Sequence, residues 1–181
     1  MSIATAGIRL AEMAEAESIS HLSRDTIEAG LPWRWQPADI ERFMRSTRHN
    51  VIVAEETSLD TPPPDATSPD PELRHSAQPA LRDGQVRSGC AVRGYGDNDA
   101  YLALLSVRPE WRRRSIARAM VEWLMKCAEV GGVKRVDVEL RADNSAALAL
   151  YQSLQFTEIA RKPGGYYGTV TQVRMRRVLR R

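Results

Sequence analysis

Residues 101–128 constrain the fold more than any other stretch of this chain. An apolar run, a proline, three consecutive arginines and a long apolar-faced segment follow one another without a gap. Leu102, Leu104, Leu105 and Val107 suit a buried strand, and Pro109 has no N–H to give the ladder of a central one. Beyond it Ile116, Met120, Leu124 and Cys127 recur at helical spacing, with Ala117, Val121 and Ala128 beside them. Arg112, Arg113, Arg114 and Ser115 therefore lie where a strand hands over to the start of a helix. A helix start presents backbone N–H groups without carbonyl partners and the positive end of the helix dipole. Three guanidinium groups reinforce that preference for phosphate. The order predicts a phosphate-cradling turn, against the plainer alternative of a solvated basic loop before an ordinary helix.

The rest of the chain supplies a mixed α/β frame. Strands are predicted at residues 8–10, 50–54, 85–95, 100–107, 134–140, 156–161 and 169–178. Helices are predicted at 12–29, 37–47, 115–130 and 144–154, with Gly30 and the Gly131-Gly132 pair as stops. The expectation is one α/β (α+β) domain over residues 1–181, its mixed sheet of about seven strands flanked by about four helices. Residues 57–84 break the pattern: Pro62-Pro63-Pro64, Pro69, Pro71 and Pro79 stand among Asp, Ser, Thr and Gln, which reads as a Pro-rich flexible insertion between two strands.

Composition excludes several classes. At 181 residues and 43% hydrophobic the chain suits a single globular core. No apolar run approaches the roughly 18 residues that span a bilayer, and residues 1–6 lack an export pattern, so a cytoplasmic protein without a membrane partner is expected. Cys90 and Cys127 have no zinc spacing, and His21, His49 and His75 are scattered, so no metal is expected. The net charge of +3 sits partly in the arginine turn and partly in residues 174–181. No aromatics alternate with the basic residues of that tail, which argues against nucleic acid as a partner. There is no serine-nucleophile elbow.

Chemistry has few places to sit. Glu139 falls near the C-terminal end of a strand next to the phosphate turn, the edge where open α/β sheets bind ligands. It is either a general base or a surface carboxylate in a salt bridge, with Arg141 as the nearest cation. Tyr151 shares a helix face with Ala147, Leu148 and Leu154, which marks it as a core tyrosine. Asn144 is most simply a helix cap. Trp33 and Trp35, in a proline-bracketed loop, either staple it to the core or line a pocket. Tyr166 and Tyr167 belong to a glycine-rich segment, residues 163–168, that reads as a substrate-gripping loop or a plain turn.

With these residues in view the chain resembles the Gcn5-related N-acetyltransferases. Arg112, Ser115 and Ala117 occupy the marked positions of that family's acetyl-coenzyme A motif, which reads Gln or Arg, two residues, Gly, one residue, then Gly or Ala. The stretches 139–144, 147–151 and 154–156 also resemble it, and are most similar to the bacterial enzymes that acetylate the N-terminal alanine of a ribosomal protein. The resemblance implies acetyl-CoA as co-substrate and direct transfer to a primary amine. It implies that Leu105, Ser106 and Val107 hold the pantetheine, that Arg112, Arg113, Arg114, Ser115, Ile116, Ala117 and Arg118 cradle the pyrophosphate, and that Asn144 contacts the coenzyme. Glu139 takes the place of the general base and Tyr151 that of the general acid, while Trp33, Trp35, Tyr166 and Tyr167 shape the acceptor pocket. The acceptor is a protein N-terminus or a small amine, the protein a monomer or homodimer, and the rival reading a silent acyl-CoA-binding module. Ser115 departs from the family, which prefers glycine there.

Overall fold

A computed structural model of the protein describes residues 6–56, 89–96, 98–166 and 168–179. Its strands are β1 (Ala6–Leu10), β2 (His49–Glu56), β3 (Gly89–Tyr95), β4 (Asp99–Val107), β5 (Arg135–Arg141), β6 (Thr157–Tyr166) and β7 (Val170–Val178). Its α-helices are α1 (Ala16–Thr26), α2 (Pro37–Arg45), α3 (Ile116–Val130) and α4 (Ser145–Ser153). The strands form one sheet in the order β1-β2-β3-β4-β5-β7-β6. Every neighbouring pair is antiparallel except β4 and β5. A parallel pair needs a crossover, and α3 supplies it. The predicted insertion at 57–84 lies outside the described residues.

Helices cover both faces. On one, Ala16, Ile19 and Leu22 of α1 and Ile40 of α2 pack with Val51, Val53, Cys90, Val92 and Leu104. On the other, Ile116, Met120, Val121 and Leu124 of α3 and Tyr151 of α4 join Val136, Val138 and Leu140 of β5. The alternation in β5 explains why it serves both: its even-numbered residues are buried, and Asp137 and Glu139 point the opposite way. The first helix is shorter than its apolar pattern suggests. A 3-10 turn, Met13–Glu15, precedes it, and a capping box between Glu12 and Glu15 closes that turn.

The decisive irregularity is in β4. Opposite β3 the register runs Val92 with Leu104 and then Arg93 with Leu102, so Ala103 is an extra residue, a β-bulge. The bulge exchanges the faces of the strand. Leu102 packs on the α3 side, Leu104 on the α1 side, and Leu105 and Val107 return to the α3 side. It also coincides with the end of pairing to β5, which covers only Asp99–Leu102 against Arg135–Val138. Beyond those pairs the two strands part, and each leaves an edge facing the gap.

The last hairpin departs from expectation as well. The strand predicted to stop at residue 161 continues to Tyr166, so Pro163, Gly164, Gly165 and Tyr166 belong to β6 and not to a loop. Its register jumps from Lys162 opposite Gln172 to Tyr166 opposite Val170, a wide irregularity that Gly164 accommodates at φ 64°.

Candidate active site

The arginine turn forms where β4 ends. A 3-10 turn, Pro109–Trp111, follows the strand, and Arg112 leads into α3. Arg113 and Ser115 both adopt left-handed backbone angles, φ 64° and 61°. Left-handed turns of this kind gather backbone N–H groups into anion-binding concavities. Ser115 caps α3 without a side-chain hydrogen bond, and its carbonyl accepts from the Ala119 N–H at 3.0 Å. The left-handed angle supplies a backbone reason for glycine at that position, beyond room for phosphate. Arg112, Arg113 and Arg114 are exposed. The Arg112 Nε donates to the Val107 carbonyl at 3.1 Å, and the Arg114 guanidinium lies 4.7 Å from the centre of the Trp111 ring. Arg118, one turn into the helix, donates to Ser153 of α4 at 2.7 Å. Ile116 is buried and Ala117 half-buried. Asn144 caps α4, its Oδ1 accepting from the Ala147 N–H at 3.1 Å.

On the opposite face of the sheet lies a cleft of about 810 Å³. Its floor is the sheet around the point of parting: Tyr101, Leu102 and Ala103 of β4, with Asp137, Val138 and Glu139 of β5. One wall is the loop between α1 and α2, with Glu28, Leu31, Arg34 and Trp35, and the other is the β6–β7 hairpin, with Gly165, Tyr166, Gln172 and Arg174. The cleft therefore reaches the sheet where the β4–β5 ladder stops.

Glu139 lines the cleft, and it is salt-bridged. The partner is Arg174, not Arg141. Arg174 Nε donates to Glu139 Oε1 at 2.8 Å, its Nη2 bonds the same oxygen, and Gln172 Nε2 donates to Oε2 at 2.5 Å. Arg141 instead grips Asp143 through two bonds of 2.9 and 2.7 Å. The Arg141 guanidinium holds the Asp143 carboxyl below the usual carboxylate range. The cleft's other sheet acids are paired in the same manner, Asp137 with Arg176 and Asp99 with Arg135.

Tyr151 sits on the α3 side of the sheet, only 3% exposed, with its ring edge-on to Phe156 at 5.3 Å. Burial pushes its phenol above the ordinary value. Ser106 is turned away from that side. Its hydroxyl meets the Thr26 hydroxyl of α1 at 2.5 Å, while Leu105 and Val107 pack toward α3. Of the expected acceptor-pocket residues the cleft receives Trp35 and Tyr166. Trp33 is elsewhere, packed on α1 with its ring 5.7 Å from His21 and beneath the Arg24 guanidinium. Tyr167 lies outside the described residues. Glu28, Arg34, Gln172 and Arg174 were not foreseen. Gln172 and Arg174 alternate along β7, and that spacing becomes informative only once the register sets Arg174 opposite Glu139.

Comparison with known proteins bears on the whole arrangement. The acetyltransferase (GNAT) family profile matches residues 31–156. The ribosomal protein bS18-alanine N-acetyltransferase of Escherichia coli (strain K12) is 41% identical over 61 residues, which is 34% of this chain and 41% of that protein. The chain thus spans well under half the length of the curated relatives with that name. The crystal structure of the ribosomal-protein-S18-alanine N-acetyltransferase from Escherichia coli superposes with a TM-score of 0.71 at 19% identity, covering 98% of this chain and 96% of that one. Arabidopsis thaliana NAA60 in complex with acetyl-CoA superposes with a TM-score of 0.71 at 17% identity, covering 97% and 99%. The profile spans β4, the arginine turn and β5, and the chain belongs to the acetyltransferase (GNAT) family.

Proposed function

We propose that this protein is an N-acetyltransferase that moves the acetyl group of acetyl-CoA directly onto a primary amine, a protein N-terminal α-amine being the acceptor its relatives' names suggest. The observation that carries the reading is the opening between β4 and β5, with an arginine turn at the strand end and an acid-lined cleft on the other face. The turn offers backbone N–H groups and guanidinium ions to a pyrophosphate. The unpaired edge of β4 beyond Leu102 offers hydrogen bonds to the amides of a pantetheine arm. Acetyl-CoA fits this set of donors, and no metal ligand cluster exists among the described residues.

The chemistry then divides between the faces. An acceptor enters the cleft as an ammonium ion and must lose a proton before its nitrogen can attack the thioester carbon. Glu139, at the strand parting, accepts that proton directly or through water. The nitrogen–carbon bond forms, the carbon–sulfur bond breaks, and the departing sulfur takes the phenol proton of Tyr151 from the other side. A phenol is protonated at neutral pH and so has a proton to give. The Arg174 pair holds Glu139 in place at the strand parting. A cytoplasmic location belongs to the same proposal and accords with free Cys90 and Cys127.

The test is release of CoA thiol with acetyl-CoA and a panel of N-terminal peptides, polyamines and amino acids. Turnover is expected on at least one primary amine. Glu139→Gln and Tyr151→Phe should each lower it by about 10²–10⁴. The acetyl-CoA-induced rise in melting temperature should stay intact in both variants. Coenzyme binding without turnover on any amine defeats the transferase reading and leaves a silent acyl-CoA-binding module, which the departure at Ser115 favours.

A further inference from the structure

The cleft contains one acid that the transfer chemistry does not use. Glu28, in the loop after α1, is only 4% exposed and faces the cleft from the wall opposite the β6–β7 hairpin. Its partners are neutral: the Arg34 N–H at 2.8 Å on Oε1 and the Ser23 hydroxyl at 3.4 Å on Oε2. Of the four acids lining the cleft, Asp99, Asp137 and Glu139 are each matched by an arginine, and among the described residues Glu28 alone has no ion pair. Arg34 also lines the cleft; it is exposed, and no ion pair joins it to Glu28 among the described residues. A buried carboxylate without a cation is costly, and a charge supplied by the ligand relieves the cost.

We propose that Glu28 is a specificity-determining residue of the acceptor cleft, the carboxylate that holds the incoming amine in its ammonium form. This rests on the acetyl-transfer reading of the same cleft. The pairing supports one cation: three of the cleft's acids each hold an arginine, Glu28 holds none, and a primary amine at neutral pH brings a single positive charge. It also separates two tasks. Glu28 selects and retains the charged amine, while Glu139, already held by Arg174 and Gln172, waits at the strand parting to take the proton. A neutral isostere, an alcohol or an already acetylated amine, gains nothing from Glu28 and leaves its charge uncompensated. Product release follows from the same discrimination, because acetylation removes the positive charge.

The alternative is that Glu28 merely staples the α1–α2 loop through Arg34 and Ser23. Glu28→Gln separates the two roles, since the amide oxygen still accepts from the Arg34 N–H while the charge is gone. Binding is measured by calorimetry on the CoA-saturated protein with two matched pairs: a tripeptide amide beginning with alanine against its lactyl analogue, and phenethylamine against 2-phenylethanol. Wild type should bind the ammonium member of at least one pair about tenfold or more tighter than the neutral member. Glu28→Gln should reduce that ratio to within about twofold and leave the neutral member's affinity unchanged. A ratio that survives the substitution, equal weakening of both members, or no discrimination by wild type in either pair overturns the proposal. Equal weakening marks the loop staple. Intact discrimination with no CoA release from any acceptor defeats the transferase reading alone.

Discussion

Ser115 shows how much a single backbone angle decides. At φ 61° its Cβ crowds the following carbonyl, whereas glycine is at ease there. Ser115→Gly should therefore raise stability by about 0.5–1 kcal/mol. The check is a higher urea midpoint at unchanged slope. A midpoint identical to wild type would remove the left-handed strain from the account. His49 is a second residue with a measurable signature. Its ring lies 4.5 Å from Phe43, and burial is the larger cause holding its imidazole below the ordinary value, with Arg42 adding to it. The fold thus disfavours the imidazolium, the unfolded chain binds more protons, and stability rises with pH through the window just below 6.5. His49→Phe keeps a ring against Phe43 and removes the titration. It should flatten the pH dependence of unfolding just below pH 6.5, leaving the carboxylate-driven loss at lower pH. An unaltered slope would assign that dependence to another group.

Among the elements, the start of α3 carries the coenzyme assignment. If its N–H groups and arginines hold a pyrophosphate, acetyl-CoA raises the melting temperature, because a ligand that binds only the native state stabilises it. Arg113→Glu with Arg114→Glu should abolish that rise. A shift of wild-type size in the double variant would sink the assignment. The β6–β7 hairpin carries Gln172 and Arg174, the partners of Glu139. A Cβ on Gly165 would stand 2.7 Å from both Cβ and Oε1 of Gln172, the residue that donates to Glu139. Gly165→Ala must displace Gln172, so the expected result is lower turnover with the acetyl-CoA shift preserved. Unchanged turnover would show that Gln172 is not needed to position Glu139. Both predictions follow from where an element ends or bulges, not from its bulk.

Taken whole, the described sheet is a partition that opens where β4 and β5 part. The arginine turn and Tyr151 lie with α3 and α4, the cleft lies with α1, α2 and the last hairpin, and the parted β4 and β5 stand between them. A molecule that joins CoA through its sulfur and a short acetyl bridge to an acceptor amine should occupy both sides at once. Linking turns the second association into an intramolecular one, so affinity should exceed that of CoA by at least about a hundredfold. Calorimetry against CoA alone and CoA mixed with free acceptor is the test. Affinity no better than CoA would mean that the opening does not connect the two half-sites. The same geometry explains why the proposed acid and base need not touch: each addresses the reacting centre from its own face.

Much of this was legible before any coordinates. Hydrophobic spacing marked the described strands and helices, because burial of a face repeats every two residues in a strand and every 3.6 in a helix. The basic turn before Ile116 and the opposite facing of Val138 and Glu139 were equally local facts. The first helix came out too long and β6 too short. A capping box between Glu12 and Glu15 and a glycine-assisted register jump at Lys162 override periodicity at those ends. The arrangement around the opening was beyond reach. Ala103 as a bulge depends on which residue of β3 faces it, and the end of β4–β5 pairing depends on that bulge. Glu139 acquires Arg174 as its partner from 35 residues away, and Arg141 turns to Asp143. Local pattern records which side of each element is apolar and so determines the layers. The partner of a charge and the register of a strand are set by residues far along the chain, and only the packed tertiary structure decides them.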